Sequence, residues 1–222
     1  MEDEKQIFDQ EYSDEAVAYI KEVENRYYQE VTISKVTGNC PYGHKEGEKY
    51  RVTSLNNDGL CGSLYHALHA PFTTLHYGGG QPWEKDIDIF KGVCPEMKVQ
   101  VDVKRIEQET PTYLKTVKEP RNMTGKGFPG LDKYRVYLEI ISIANFCFWD
   151  HKEGQRLEVD PFNIGGVCGF MYWELYHFIN LLLSGGSLPW EAEENIIHGC
   201  CPDVLNQVTY RLVREERQKN RG

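Results

Sequence analysis

The chain has 222 residues, 40% of them hydrophobic and 27% charged. That is the balance of a soluble globular protein with one large or two small domains, and it excludes disordered and fibrous classes. A formal net charge of -9 and an isoelectric point near 5.3 are the wrong sign for a phosphate-binding face, so no nucleic-acid partner is expected.

Residues 1–30 open with Met1-Glu2-Asp3-Glu4, the opposite of an export signal, and a cytoplasmic protein is expected. Ser13, Asp14 and Glu15 make a helix cap with an acidic first turn. Val17, Ile20, Val23 and Tyr27 then fall on one face, so residues 13–29 are predicted to form an amphipathic helix covering a sheet or a seam. Residues 31–36 and 49–55 read as β-strands of a hairpin joined by a Cys-Pro-Tyr-Gly-His turn. Residues 61–77 have helical spacing at Leu64, Leu68, Phe72 and Leu75, with Pro71 ending or kinking the first half and glycines 78–80 as the stop. A short helix over 84–90 and a third strand over 98–106 complete a ββααβ module spanning 31–106. Residues 107–135, rich in Pro and Gly, read as an extended linker. A second module follows over 136–214, then a short mixed-charge tail at 215–222. Its apolar run, residues 170–183, is interrupted by Glu174, His177 and Asn180 and is too short to span a bilayer, so no membrane role is expected.

The second module is expected because the chain repeats itself. Shifted by 107 positions, residues 31–105 lie on 138–212 without insertion, and 25 of 75 positions are identical. The predicted fold is therefore α+β: two tandem ββααβ modules forming a pseudo-twofold dimer in one chain, with an N-terminal amphipathic helix. Retained residues include Cys40, His44, Lys45, Glu46 and Gly47 (147 and 151–154), Cys61-Gly62 (168–169), Pro82-Trp83-Glu84 (189–191) and Cys94-Pro95 (201–202). This pattern of Cys-x-x-Gly-His-Lys, Cys, Gly-Gly, Pro-Trp and Cys-Pro-Glu resembles a small cysteine-bearing prokaryotic family of about ninety residues, whose members carry no assigned activity. Copy 2 departs from the pattern at Phe148, Trp149, Asp150 and Phe178.

Two constellations carry chemistry. Seven cysteines in a chain with no export signal read as reduced thiols or metal ligands. Cys40, His44, Cys61 and Cys94, with Cys147, His151, Cys168 and Cys201, form a Cys3His set per module that suits zinc or an iron–sulfur centre. The same residues also read as buried small hydrophobes with His44 bracing a turn, or as a Cys40/His44 nucleophile–base pair. The second constellation is an asymmetry: His66, His69 and His76 face along one helical stripe, where the other copy has Trp173, Tyr176 and Leu183. Across a pseudo-twofold interface these make a pocket with one histidine wall and one aromatic wall, unless the stripes are only drifted helix faces.

The leading expectation is a cofactor-independent small-molecule enzyme, an isomerase, lyase or hydrolase working by proton transfer. His66, His69, Cys40 and His44 would be catalytic, and Lys45, His76, Trp83, Glu84, Trp173 and Tyr176 would bind substrate. Lys45 also reads as solvated and Glu84 as a helix first-turn acid. A metal-binding module and a non-catalytic ligand-binding or assembly protein are the alternatives, and monomer or homo-oligomer is undecided. No nucleotide cofactor is expected, since no dinucleotide or P-loop fingerprint is present.

Overall fold

A computed structural model describes residues 13–123, 128–203 and 206–218. The fold is α+β, with three α-helices and two four-stranded antiparallel sheets among the described residues. In chain order the elements are α1 (Asp14–Asn25), β1 (Tyr27–Val36), β2 (Lys49–Val52), α2 (Gly62–His76), β3 (Ile89–Val93) and β4 (Val99–Glu107). After a 3-10 turn at Pro129–Asp132 come β5 (Tyr134–Ile143), β6 (Arg156–Val159), α3 (Gly169–Leu183), β7 (Ile196–Cys200) and β8 (Val208–Glu216). The strand orders β2-β1-β4-β3 and β6-β5-β8-β7 are the same, and a bulge falls at Ile33/Lys35 in one sheet and Ile140/Ser142 in the other.

The cores follow from period-2 alternation meeting a helical stripe. Val31 and Ile33 of β1 and Val99, Val101 and Val103 of β4 turn inward, against Leu64, Leu68, Phe72 and Leu75 of α2. Each such side chain stabilises the fold by about 1.5–3 kcal/mol when fully buried. In the second half Val136, Leu138 and Ile140 meet Met171, Leu175, Ile179 and Leu182.

Several expectations are corrected. Helix α1 ends at Asn25, not residue 29, because Tyr27 and Tyr28 pair with Glu107 and Ile106 and lengthen β1. Helix α2 runs through Pro71: proline removes one amide donor, and the carbonyl it deprives belongs to solvent-exposed Ala67. No helix forms at 84–90. Side chains there bond nearby amides instead, Asp86 Oδ1 accepting from Asp88 N at 2.9 Å and Glu84 Oε1 from Lys91 N at 3.3 Å, and the chain enters β3. Each half is thus ββαββ. The likeness of the halves breaks at one turn: the amide of Cys94 bonds the Val99 carbonyl and that of Cys201 bonds the Val208 carbonyl, so the second turn is two residues longer.

The halves meet through reciprocal contacts. Gly62 N donates to Phe162 O at 2.6 Å and Gly169 N to Leu55 O at 2.7 Å. A side chain at Gly62 would overlap the Tyr172 hydroxyl, and one at Gly169 the Tyr65 hydroxyl, so only glycine lets the two helix starts approach. The connecting segment forms no helix or strand over residues 108–123 and is strapped to both halves. Thr116 N donates to Asn56 Oδ1 and Arg121 N to Asn163 Oδ1, both at 2.9 Å, and Tyr113 donates to the Phe148 carbonyl. Among the described residues no helix is long and apolar enough to cross a membrane.

Candidate functional site

Each half gathers three cysteines around one cavity. Cys40 lies in the β1–β2 loop, Cys61 caps the start of α2 and Cys94 opens the β3–β4 turn. Together with Tyr42, His44 and Phe162 they line a crevice of about 30 Å³. Cys147, Cys168 and Cys201 occupy the same places in the second half, but there the cavity is about 240 Å³. Phe148, Trp149, Phe170, Pro202, Asp203 and Val208 complete its second-half wall, while Leu55 and Tyr77 of the first half and Glu24 of α1 close the other side. Leu55 stands where the first crevice has Phe162, a larger side chain.

The cysteines and histidines do not assemble a metal site. Among the described residues no group of three His, Cys, Asp or Glu is placed to hold an ion. His44 has both ring nitrogens engaged. Nε2 accepts from Cys61 N at 3.4 Å, so the proton sits on Nδ1, which lies 3.2 Å from Glu48 Oε2 and 3.0 Å from the Tyr50 hydroxyl. Cys94 Sγ accepts from the amides of Lys98 and Val99. His151 Nδ1 is held by Gln155 Oε1 at 2.8 Å. These bonds correct the Cys3His reading, and they also break the Cys40/His44 pair, because His44 braces the start of α2 rather than a thiol. Burial lowers the pKa of His44 and keeps it neutral, against the opposing pull of Glu48.

The buried thiols Cys61, Cys168 and Cys201 are equally unreactive. Burial pushes Cys61 and Cys201 up to about 12, and Cys168 well above its ordinary value. The amides of Ser63 and Leu64 at the start of α2 act on Cys61 in the opposite direction without offsetting its burial. Buried thiols with pKa values this high are apolar lining at neutral pH, not nucleophiles.

The histidine and aromatic stripes do meet across α2 and α3, but ring against ring. His66 stacks on Tyr176 with centroids 4.0 Å apart, His69 lies 6.1 Å from Trp173, and His177 meets His66 edge-on at 5.3 Å. His69 Nε2 donates to the buried Ser54 carbonyl at 3.1 Å. Burial first, then the neighbouring His177 and His69, takes the pKa of His66 down to about 4. His76 points the other way, its Nε2 3.2 Å from Glu24 Oε2. His66, His69 and His76 line neither thiol cavity, and the two stripes meet as stacked rings where a histidine-walled pocket was expected.

Lys45 is exposed, and its amide bonds Glu48. Trp83 is 70% exposed in the loop before β3. Glu84 accepts the Lys91 amide, and its counterpart Glu191 accepts from His198 N at 2.8 Å, so both carboxylates tie down edge strands.

Sequence reasoning missed most of the larger cavity: Glu24, Leu55, Tyr77, Phe148, Trp149, Phe170 and Asp203. Tyr77 donates to Glu24 Oε1 at 2.5 Å, and its hydroxyl is held protonated by burial and by the charges of Glu24 and Asp203. Trp149 Nε1 donates to Gly166 O at 2.7 Å, which fixes the indole against the cavity wall. A usable signal was present, since Phe148 and Phe170 are aromatic where copy 1 has Pro41 and Ser63. No protein-family model, no curated protein and no solved structure matches the chain.

Proposed function

We propose that the chain is a duplicated ββαββ module folded back on itself as a pseudo-twofold pair, and that it binds a small, largely apolar molecule in the cavity beside Cys147, Cys168 and Cys201. The observation that carries this reading is the contrast between two equivalent places. The same thiol trio lines about 30 Å³ in one half and about 240 Å³ in the other. A shared trio with unequal space fits one copy kept for packing and one opened for a ligand.

Binding is favoured over catalysis by proton transfer. Burial holds Cys61, Cys168 and Cys201 protonated, and His66 and His69 are enclosed by rings rather than open to a substrate. Seven unpaired cysteines suit a reducing compartment such as the cytoplasm.

The test copies the closed half into the open one. Leu55→Phe should fill the cavity with the ring that Phe162 supplies elsewhere. A fragment library screened by ligand-observed NMR against the full chain should give hits that this variant loses, while its circular dichroism and its thermal midpoint, to within a few degrees, stay those of the wild type. Hits that bind both proteins alike, or no hits at all, overturn the reading.

A further inference from the structure

We infer that helix α1 is the gate of this cavity, latched shut by the bonds of Glu24 to His76 and Tyr77. The inference rests on the binding reading above and adds how the site is entered, although its test requires no ligand. A second cavity of about 170 Å³ adjoins the first along α1. Glu24, Leu55 and Phe148 line both, so these three side chains form the partition between them. On the far side of the partition the second cavity is bounded by exposed Lys21 and Asp150, which makes it a vestibule open to solvent.

The three parts of the partition are held unequally. The Leu55 carbonyl accepts the seam bond from Gly169 N, and the Phe148 carbonyl accepts from the Tyr113 hydroxyl. Glu24 belongs to α1, in which no residue is fully buried and Val17, Ile20 and Val23 are only half-buried. A helix of twelve residues is marginal in water by itself, so α1 persists because it is docked. Among the described residues, the hydrogen bonds that dock it come from its last turn. Glu24 Oε2 lies 3.2 Å from Nε2 of buried His76, Glu24 Oε1 accepts from the Tyr77 hydroxyl at 2.5 Å, and the Asn25 carbonyl accepts from Gln108 Nε2 at 2.6 Å. Gln108 N also donates to Arg26 O, so the Asn25 bond sits where the chain turns into β1 and holds the hinge. The Glu24 bonds hold the helix down on the cavity.

The first half has no such device. Its crevice is lined by no residue of α1 or of the connecting segment, and Phe162 occupies the place of Leu55. A filled site needs no door. An apolar chamber that receives a ligand does, and a lightly docked helix supplies one by a local opening far smaller than unfolding.

The thiols of the two halves report that opening. Cys168 and Cys61 precede α3 and α2 in equivalent places and are 5% and 6% exposed, but only Cys168 lines the cavity that α1 covers. The full chain is treated with iodoacetamide at about pH 8, and alkylation of each cysteine is followed by peptide mass spectrometry. Referring each thiol to its own wild-type rate cancels the difference in their pKa values. Tyr77→Phe and Glu24→Gln preserve the shape of the latch while weakening it. Combined, they should speed Cys168 by at least about ten-fold, the worth of one hydrogen bond to a charged group, and change Cys61 by less than about two-fold. Hydrogen exchange should place the loosening at residues 14–25 and leave the amides of α2 and α3 as they were. A Cys168 rate indifferent to the variants, or one that rises only in step with Cys61, overturns the gate. Fragments that bind and are expelled by Leu55→Phe would leave the binding reading standing after that failure. A silent fragment screen would remove the binding reading and leave an opening measured at Cys168 in place.

Discussion

His66 lies with its ring 4.0 Å from that of Tyr176 and its Nε2 buried without a partner. An imidazolium there would lose hydration and meet His177 and His69, which is why its pKa falls from an ordinary 6.5 to about 4. A base whose pKa drops on folding is more protonated in the unfolded chain, so stability is full above about 6.5 and is lost as pH falls toward 4. Burial depresses His44, His69 and His151 as well, so their contributions share this sign. His66→Phe keeps the stack and removes the titration. Between pH 7 and 5 the variant should lose roughly 1 kcal/mol less than the wild type, a figure set below full linkage because the ring is only half-buried. Urea unfolding at the two pH values measures this, and equal losses would reject it. That these rings face each other was legible, because a helical stripe places residues 66 and 69 opposite 173 and 176 once the copies are superposed. Whether they enclose space or fill it was not, since that depends on how closely the two helix starts approach at Gly62 and Gly169.

Arg105 and Arg214 anchor the helices to the sheets. Arg105 Nη1 donates to Leu75 O at 3.2 Å and Gly79 O at 3.0 Å, and Arg214 Nη1 does the same to Leu182 O and Gly186 O at the same two distances. Each guanidinium also lies 5.1 Å from a tyrosine ring, Tyr27 or Tyr134. A cation at a helix C-terminus complements the dipole, and one guanidinium nitrogen with two N–H groups reaches both carbonyls while the planar group keeps its face to a ring. Arg105→Lys and Arg214→Lys should each cost about 1–2 kcal/mol in guanidinium unfolding. Arg211→Lys, at an exposed pair with Glu139, should cost under about 0.5 kcal/mol. Equal costs at all three positions would remove the anchoring role. This arginine pair is hidden from a rigid comparison at 107 positions, because the two-residue insertion after Cys201 moves it to an offset of 109. Strands β1, β2 and β4 and the two long helices could be read from their periodicity, whereas β3 could not. The segment 84–90 could not, because its carboxylates form side-chain bonds to backbone amides that a propensity argument does not count.

At the scale of the whole molecule, the two halves behave as partners that happen to be joined. Their seam carries the reciprocal amide bonds at Gly62 and Gly169, each glycine facing the other half's tyrosine hydroxyl, which is the self-complementary pattern of a twofold interface. The likeness of the two halves was legible because 25 of 75 residues match at one fixed offset. The larger cavity was not, because its walls come from α1, from the end of α2 and from the β6–α3 side at once, and no single copy contains them. The strap bonds both halves as well, with Thr116 and Lys118 held by the first and Tyr113, Lys115 and Arg121 by the second. A protease site inserted between residues 123 and 128 tests which of the two holds the molecule together. After cleavage the fragments should still elute as one species at micromolar concentration and separate only in denaturant. The thermal midpoint should become concentration-dependent, since cutting the chain removes the effective concentration that covalent linkage supplies. Gly169→Ala, which drives a methyl group into Tyr65, should make the cleaved fragments separate while the uncut variant stays folded. Fragments that part on cleavage alone would show that the strap, not the seam, keeps the cavity's walls in place.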